Sequence, residues 1–163
     1  LKPAARKATV SDIPAIVNIY NQGIEDRIAT FETRRRTPED IQKWFDGRHP
    51  IVVVEEDGRV IGFAATYPSS ARECYAGITE FSVYVERNWR GQGIGKMAMM
   101  ELLAAAEKEG FWKLLSRVFP ENEISLRLLR SLGFREVGIY EKHAQLDGVW
   151  RDVVIVEYLI QKG

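Results

Sequence analysis

The sequence predicts a mixed α/β domain in which helices pack on a largely antiparallel sheet. Three observations carry that expectation. Runs rich in β-branched residues, such as Ile51-Val52-Val53-Val54, alternate with segments of helical apolar periodicity. Two Asp-Gly pairs, Asp57-Gly58 and Asp147-Gly148, fall between consecutive strand patterns and signal hairpins. The resulting order, β-α-α-β-β-β-α-β-α-β-β, contains no repeat, low-complexity stretch or linker, so residues 1–163 read as one domain.

Residues 5–8 suggest a short first strand. Ser11-Asp12 has the character of an N-cap, and Ile13, Ile16, Val17, Ile19 and Tyr20 recur at helical spacing up to Gly23. Thr37-Pro38-Glu39-Asp40 starts a second helix: a capping hydroxyl, proline at the first helical position, then acids in the first turn. Ile41, Trp44 and Phe45 give it an apolar face. Strands follow over 51–55 and 60–67, the second closed by Pro68-Ser69-Ser70, and another over 78–85. A long helix is expected from Gln92 to Glu109, ended by Gly110, then a strand over 112–119. Asn122 to Leu132 reads as a helix with Gly133 at its end, and strands over 135–145 and 149–160 complete the chain.

Composition narrows the class. At 163 residues, 45% hydrophobic and 28% charged, the chain can bury about 70% of its unfolded surface without metals or disulfides. Its 23 Lys+Arg balance 23 Asp+Glu, so there is no global field to attract nucleic acid or an anionic membrane. Cys74 is the lone cysteine, which excludes an internal disulfide, and only two histidines accompany it, which argues against a Cys/His metal site. No apolar run approaches the roughly 20 residues that span a bilayer. Residues 1–7 lack the apolar segment of a secretory signal. The expectation is a cytoplasmic protein with no metal.

The sharpest local feature is Arg90-Gly91-Gln92-Gly93-Ile94-Gly95-Lys96, between a strand and a long helix. Glycines let the backbone turn tightly and approach a ligand, and a helix N-terminus presents unpaired N–H groups to an anion. Arg90 and Lys96 add positive charge, so the segment suits a phosphate or pyrophosphate; a flexible basic turn is the plain alternative. A Walker loop does not fit, because Arg90 and Met97 occupy positions that require Gly and Ser/Thr. The dinucleotide pattern can be laid on Gly93, Gly95 and Ala98, but Glu86 to Arg90 intervene where the glycine should follow its strand directly.

With the flanking strand Ile78-Thr79-Glu80-Phe81-Ser82-Val83-Tyr84-Val85 added, the segment through Lys96 resembles the acetyl-CoA signature of the GNAT superfamily of N-acetyltransferases. Its core, [RQ]-x-x-G-x-[GA], is matched by Arg90, Gly93 and Gly95. Asn122-x-x-Ser125-x-x-Leu128-x-x-x-x-Gly133-Phe134 is similar to the family's second cofactor-facing helix. Tyr20-Asn21, Phe31-x-Thr33, Thr37-Pro38, Trp44, Ala71-Arg72-x-x-Tyr75 and Gly148-x-Trp150-Arg151-Asp152-Val153 look like the phosphinothricin acetyltransferase branch, and together cover nearly the whole chain. The resemblance implies a GNAT fold with helices on both faces of the sheet. It also implies transfer of acetyl from acetyl-CoA to a small amino-acid-like amine, and a homodimer.

On that resemblance the pantetheine arm lies along Val83, Tyr84 and Val85, and the pyrophosphate over Gly91, Gln92, Gly93, Ile94, Gly95 and Lys96. Arg90 lies beside it, and Asn122 and Ser125 reach from the next helix. Glu80 is the candidate general base. Alternation puts Glu80, Ser82 and Tyr84 on one strand face and Phe81, Val83 and Val85 on the other, while a solvent-facing acid is the plain reading of the same residue. Arg72 and Tyr75 look like substrate contacts, since a guanidinium can hold a carboxylate with two parallel hydrogen bonds, although most loop arginines are simply solvated. Phe31 and Glu32 suggest another pocket wall, with Phe31 equally suited to a core.

One departure bears on mechanism: Leu129 stands where many relatives carry a Tyr, or His, assigned to protonating the departing thiolate. His49, His143 and Cys74 show no catalytic context, and Trp89, Trp112 and Trp150 read as packing residues. Two other functions remain open at this point: acetylation of a peptide, polyamine or protein terminus, and a non-catalytic acyl-CoA sensor.

Overall fold

The computed structural model describes residues 2–27 and 29–160. Among the described residues seven strands form one sheet: β1 (Ala4–Lys7), β2 (Ile51–Glu56), β3 (Arg59–Pro68), β4 (Ile78–Val85), β5 (Lys113–Val118), β6 (Arg135–Leu146) and β7 (Val149–Leu159). Their order across the sheet is β1-β2-β3-β4-β5-β7-β6. Every neighbouring pair is antiparallel except β4 and β5, which run parallel. Four α-helices accompany them: α1 (Ile13–Asp26), α2 (Pro38–Gln42), α3 (Ile94–Lys108) and α4 (Glu123–Ser131).

The helices divide between the two faces because the central strands are apolar on both. Ile16, Ile19 and Ile41 from α1 and α2 pack with Val53, Phe63, Ala65 and Tyr84. On the other face, Ala98, Met99, Leu102 and Ala106 of α3 and Leu126 and Leu129 of α4 pack with Val52, Val54, Ala64 and Phe81. Alternation along β4 thus sends Tyr84 to one core and Phe81, Val83 and Val85 to the other, as its sequence pattern requires.

Several boundaries differ from the sequence expectation for local reasons. Helix α1 continues past Gly23 to Asp26 and ends where Arg27 turns left-handed at φ 56°. Helix α2 is only five residues long, capped by Thr37, and Trp44 and Phe45 follow it in turns that still pack on the same core. Helix α3 starts at Ile94 because Gly93 adopts φ 82°, which leaves Gln92 in the loop. Trp150 is 55% exposed, so it is a surface residue rather than a packing one.

Asp12 does not cap α1 with its side chain. Its carboxylate accepts two hydrogen bonds from the Arg6 guanidinium, at 2.8 and 2.9 Å, and one from the Thr9 backbone N–H at 2.8 Å. This pair ties β1 to the start of α1. The hydrogen bonds from Arg6 are the main reason the Asp12 carboxyl titrates below the ordinary carboxylate range. A depressed carboxyl contributes stability that is present above its unfolded pKa and is lost as pH falls through its folded value. Arg6 is 37% exposed, which screens the pair. Asp12→Ala is therefore expected to lower stability by about 2 kcal/mol at pH 7. In urea unfolding, the difference from wild type should shrink as pH drops below the carboxylate range.

Candidate active site

The sheet forks at its centre. β4 and β5 pair only over Ile78↔Lys113, Thr79↔Leu114 and Glu80↔Leu115; beyond that β4 runs on to Val85 and β5 to Val118 without pairing. The edge of β4 facing the fork is therefore a stretch of backbone without a strand partner. Phe81 C=O, at the fork, accepts hydrogen bonds from Tyr67 Oη at 3.2 Å and Ser116 Oγ at 3.0 Å.

Three adjoining spaces open around this fork. On the α1 face lies a cavity of ≈ 420 Å³ whose walls include Tyr20, Phe31, Trp44, Tyr67, Tyr84 and Phe119. A notch of ≈ 40 Å³ lies between the strands, bounded by Ser82, Val83, Ser116, Asn122, Ser125 and Leu129. A groove of ≈ 340 Å³ runs on along Val83 and Val85 to Arg90, Gly91, Gly93, Gly95 and Lys96, with Ile124 and Leu128 of α4 as its far wall. Ala29 and Tyr84 border all three spaces, which makes them one continuous surface.

The glycine loop enters α3 through left-handed turns at Gly91 (φ 79°) and Gly93 (φ 82°), with open space where a Cβ would project. Arg90 is less free than its sequence position suggests: it makes an ion pair with Asp26 at 2.8 Å and donates to Val85 C=O at 3.4 Å. Lys96 is exposed and carries no ion pair among the described residues.

Charges inside the large cavity come in pairs. Arg36 meets Glu32 at 2.9 Å, and Arg117 Nη1 on β5 donates to Glu80 Oε1 at 2.8 Å. Glu80 is 14% exposed and Arg117 45%. Burial raises the Glu80 carboxyl above the ordinary range, and the positive charge and hydrogen bond of Arg117 draw it only part of the way back. Burial likewise raises the phenols of Tyr20, Tyr67 and Tyr84, so all three remain protonated hydrogen-bond donors at neutral pH. A half-buried carboxylate poised above its normal pKa beside an open backbone edge is suited to taking a proton from an amine.

Residues 16–134 match the Acetyltransferase (GNAT) family. The chain belongs to this family. Among its relatives is a phosphinothricin N-acetyltransferase of Streptomyces viridochromogenes, 32% identical over 91% of this chain and 82% of that one. An L-methionine sulfoximine/L-methionine sulfone acetyltransferase of Pseudomonas paraeruginosa is 31% identical over 96% and 94%. The crystal structure of a GNAT superfamily phosphinothricin acetyltransferase from Sinorhizobium meliloti, in complex with acetyl-CoA, superposes with a TM-score of 0.90 at 26% identity, covering 98% of this chain and 89% of that one. The fold, the enzyme class and the phosphinothricin acetyltransferase-like branch expected from the sequence all stand.

In this acetyltransferase Glu80, Phe31 and Glu32 meet in the large cavity. Val83, Tyr84, Val85, Arg90, Gly91, Gly93, Ile94, Gly95, Lys96, Asn122 and Ser125 meet in the groove, and Gln92 lies outside its lining. Arg72 and Tyr75 are not brought to Glu80: they stand exposed on the β3–β4 connection, with the Arg72 guanidinium 5.7 Å from the Tyr75 ring. Sequence reasoning missed Arg117, Tyr67 and Arg36 as cavity residues. Tyr67 carried a signal, because antiparallel pairing across the β3–β4 connection sets it opposite Glu80. Arg117 carried none, being 37 positions from its partner.

Removing the Arg117 cation takes away most of what lowers the Glu80 carboxyl, sparing the Ser69 hydrogen bond, and leaves burial, which raises it. Carboxyl-carbon NMR titration should therefore find Glu80 above the ordinary carboxylate range in wild type, and higher still in Arg117→Gln.

Proposed function

We propose that this acetyltransferase moves acetyl from acetyl-CoA to the α-amine of a small amino-acid-like acceptor, of the phosphinothricin, methionine sulfoximine or methionine sulfone type, by direct attack with both substrates bound. The observation that carries this reading is the continuity of the two larger spaces at Tyr84, with Glu80 on the acceptor side and an unpaired strand edge between them.

The residues fit acetyl-CoA. The open edge of β4 offers N–H and C=O groups to the amides of a pantetheine arm, as an added strand would. The loop of Gly91 and Gly93 and the N-terminus of α3 offer backbone N–H groups to a pyrophosphate, with Lys96 adding charge. Acetyl-CoA supplies the activated acetyl thioester. Glu80 accepts the proton that the acceptor's ammonium must lose, and backbone N–H groups of the β4 edge meet the negative charge that develops on the carbonyl oxygen. Phe31 and the Glu32–Arg36 pair form the wall against the acceptor side chain. Arg72 and Tyr75, outside that wall, are assigned only to a group that reaches the rim.

We also read the protein as a homodimer. Edge strand β6 is exposed along nearly its whole length, and the β6–β7 hairpin carries Ile139 at 59% and Trp150 at 55% exposure, with Val137, Tyr140 and Val149 beside them. A second copy is the proposed cover for this apolar edge. The cytoplasm is the proposed compartment; no helix among the described residues is long and apolar enough to cross a membrane.

Release of CoA thiol from acetyl-CoA, followed over a panel of amino acids, peptides and polyamines, tests the reaction. Amino-acid analogues should drive release, and Glu80→Gln should lower kcat by about 100-fold. Saturable acetyl-CoA binding with no release by any amine would instead favour a sensor. Light scattering on a sizing column tests the assembly: wild type should run as a dimer, and the pair Ile139→Glu with Trp150→Glu as a monomer.

A further inference from the structure

We propose that Arg117 is the anchor for the acceptor's carboxylate, and that the acceptor binds by inserting its own zwitterion into the Arg117–Glu80 ion pair. The proposal rests on the acetyltransferase reading above and goes beyond it, because it assigns the charge-recognising residue and with it the acceptor class.

The geometry points to Arg117 by position and by valence. A guanidinium has five N–H donors in a planar fork. Arg117 commits one of them, to Glu80, among the described residues. Its side chain is the more exposed member of the pair and borders both the large cavity and the notch between the strands. The cavity's other cation, Arg36, is held by Glu32 at 2.9 Å with its side chain largely covered. Arg72 lies outside the wall altogether. Arg117 is therefore the cation in the cavity with a free bidentate face.

The pairing also selects the ligand. An α-amino acid carries its ammonium and carboxylate on one carbon, so the two charges are as close as Glu80 and Arg117 are to each other. Such a ligand sets ammonium against carboxylate and carboxylate against guanidinium, and four charges are satisfied where two had been. A polyamine would bring a second cation against Arg117, and a peptide terminus would bring a neutral carbonyl. Both leave the guanidinium poorly matched. Once the acceptor carboxylate shares Arg117, the cation that holds Glu80 is partly neutralised, and Glu80 takes one proton from the ammonium, giving a neutral amine and a protonated Glu80. The Ser69 hydroxyl also hydrogen-bonds Glu80, and the other titratable groups that line the cavity with it are Tyr67 on β3, Tyr84 on β4, Tyr20 on α1, and the mutually neutralising Glu32 and Arg36. Arg117 is thus the charge whose occupation changes when the carboxylate arrives.

The experiment is a cycle between residue and ligand group. Wild type, Arg117→Gln and Arg117→Lys are assayed with a good amino-acid acceptor and with its carboxamide, which keeps the amine and loses the carboxylate. Arg117→Gln should lower kcat/KM for the amino acid by about 30-fold more than for the carboxamide, mostly through KM, while the loss common to both acceptors reports the shift it causes in Glu80. Arg117→Lys, which keeps a cation beside Glu80, should recover part of the discrimination but not the bidentate share. Equal losses on the two acceptors would make Arg117 a mere partner of Glu80 and overturn the proposal, as would a wild type that does not discriminate between them. Acetyl-CoA binding without turnover of any acceptor by wild type would bring down the acetyltransferase reading itself, and the proposal with it.

Discussion

The parting of β4 from β5 after Glu80 is the constraint on which the rest of the molecule depends. A gap in the middle of a sheet leaves backbone groups without partners, and buried N–H and C=O groups rarely remain so. The fold answers this at the apex of the fork, where Tyr67 Oη and Ser116 Oγ converge on Phe81 C=O. Phe81 itself is locked beneath, with Phe134 at 5.2 Å between ring centroids and Leu129 in the same core. β3 and β7 hold the outer edges of the two strands, so the sheet cannot close the gap by sliding. What remains open is a length of strand edge that another extended chain could pair with.

The two faces of the fork then take on different chemistry. On the α1 face, Tyr20, Trp44, Phe63 and Tyr84 form a continuous aromatic layer, with Tyr20 stacked on Tyr84 at 5.0 Å and Phe63 at 5.6 Å from Tyr84. Glu80 lines the cavity beside this layer, and its partial burial raises its carboxyl. The cavity can then carry charge only as compensated pairs, which is how Glu80 and Glu32 each come to have an arginine. On the loop side, negative charge sits close to the glycine turn as well: Asp26 holds Arg87 and Arg90, and the hydrogen bond from Arg87 is the main cause of its lowered pKa. An anion over the loop therefore meets backbone N–H groups and Lys96 before it meets a free arginine.

Local features of the chain were legible from its sequence, and features made by distant partners were not. The β-branched runs at 51–54, the hairpin at Asp57-Gly58 and the alternation along 78–85 each report on a few adjacent residues, and each appears where its pattern puts it. Asp12 looked like a helix cap because its neighbours fit a cap; its true partner, Arg6, lies on a strand that the local rules could not orient toward it. Trp44 fitted a helical face, yet α2 ends before it, and burial of the indole ring needs only a turn. The candidate site divides the same way. The glycine loop and Glu80 are local signals, whereas the fork between β4 and β5 and the approach of Arg117 to Glu80 exist only once three elements have been assembled.

Leu129 shows how the assembled site changes the chemistry that its sequence position alone suggests. It is fully buried and forms one wall of the notch between the strands, so no proton donor stands at that wall. Tyr84 is the one phenol that borders the same notch among the described residues. Burial holds its hydroxyl well above the ordinary tyrosine pKa, whereas a free thiol titrates near pKa ~8.5. Moving a proton from such a phenol to a thiolate runs uphill, so Tyr84 serves better as a hydrogen-bond donor than as an acid. A thiolate leaving through this notch would depart as the anion and take its proton from water beyond the groove. In the proposed reaction, acid assistance for the leaving group and base assistance for the amine would thereby be uncoupled, and the demand on protein groups would fall on the cavity where Glu80 and Arg117 stand.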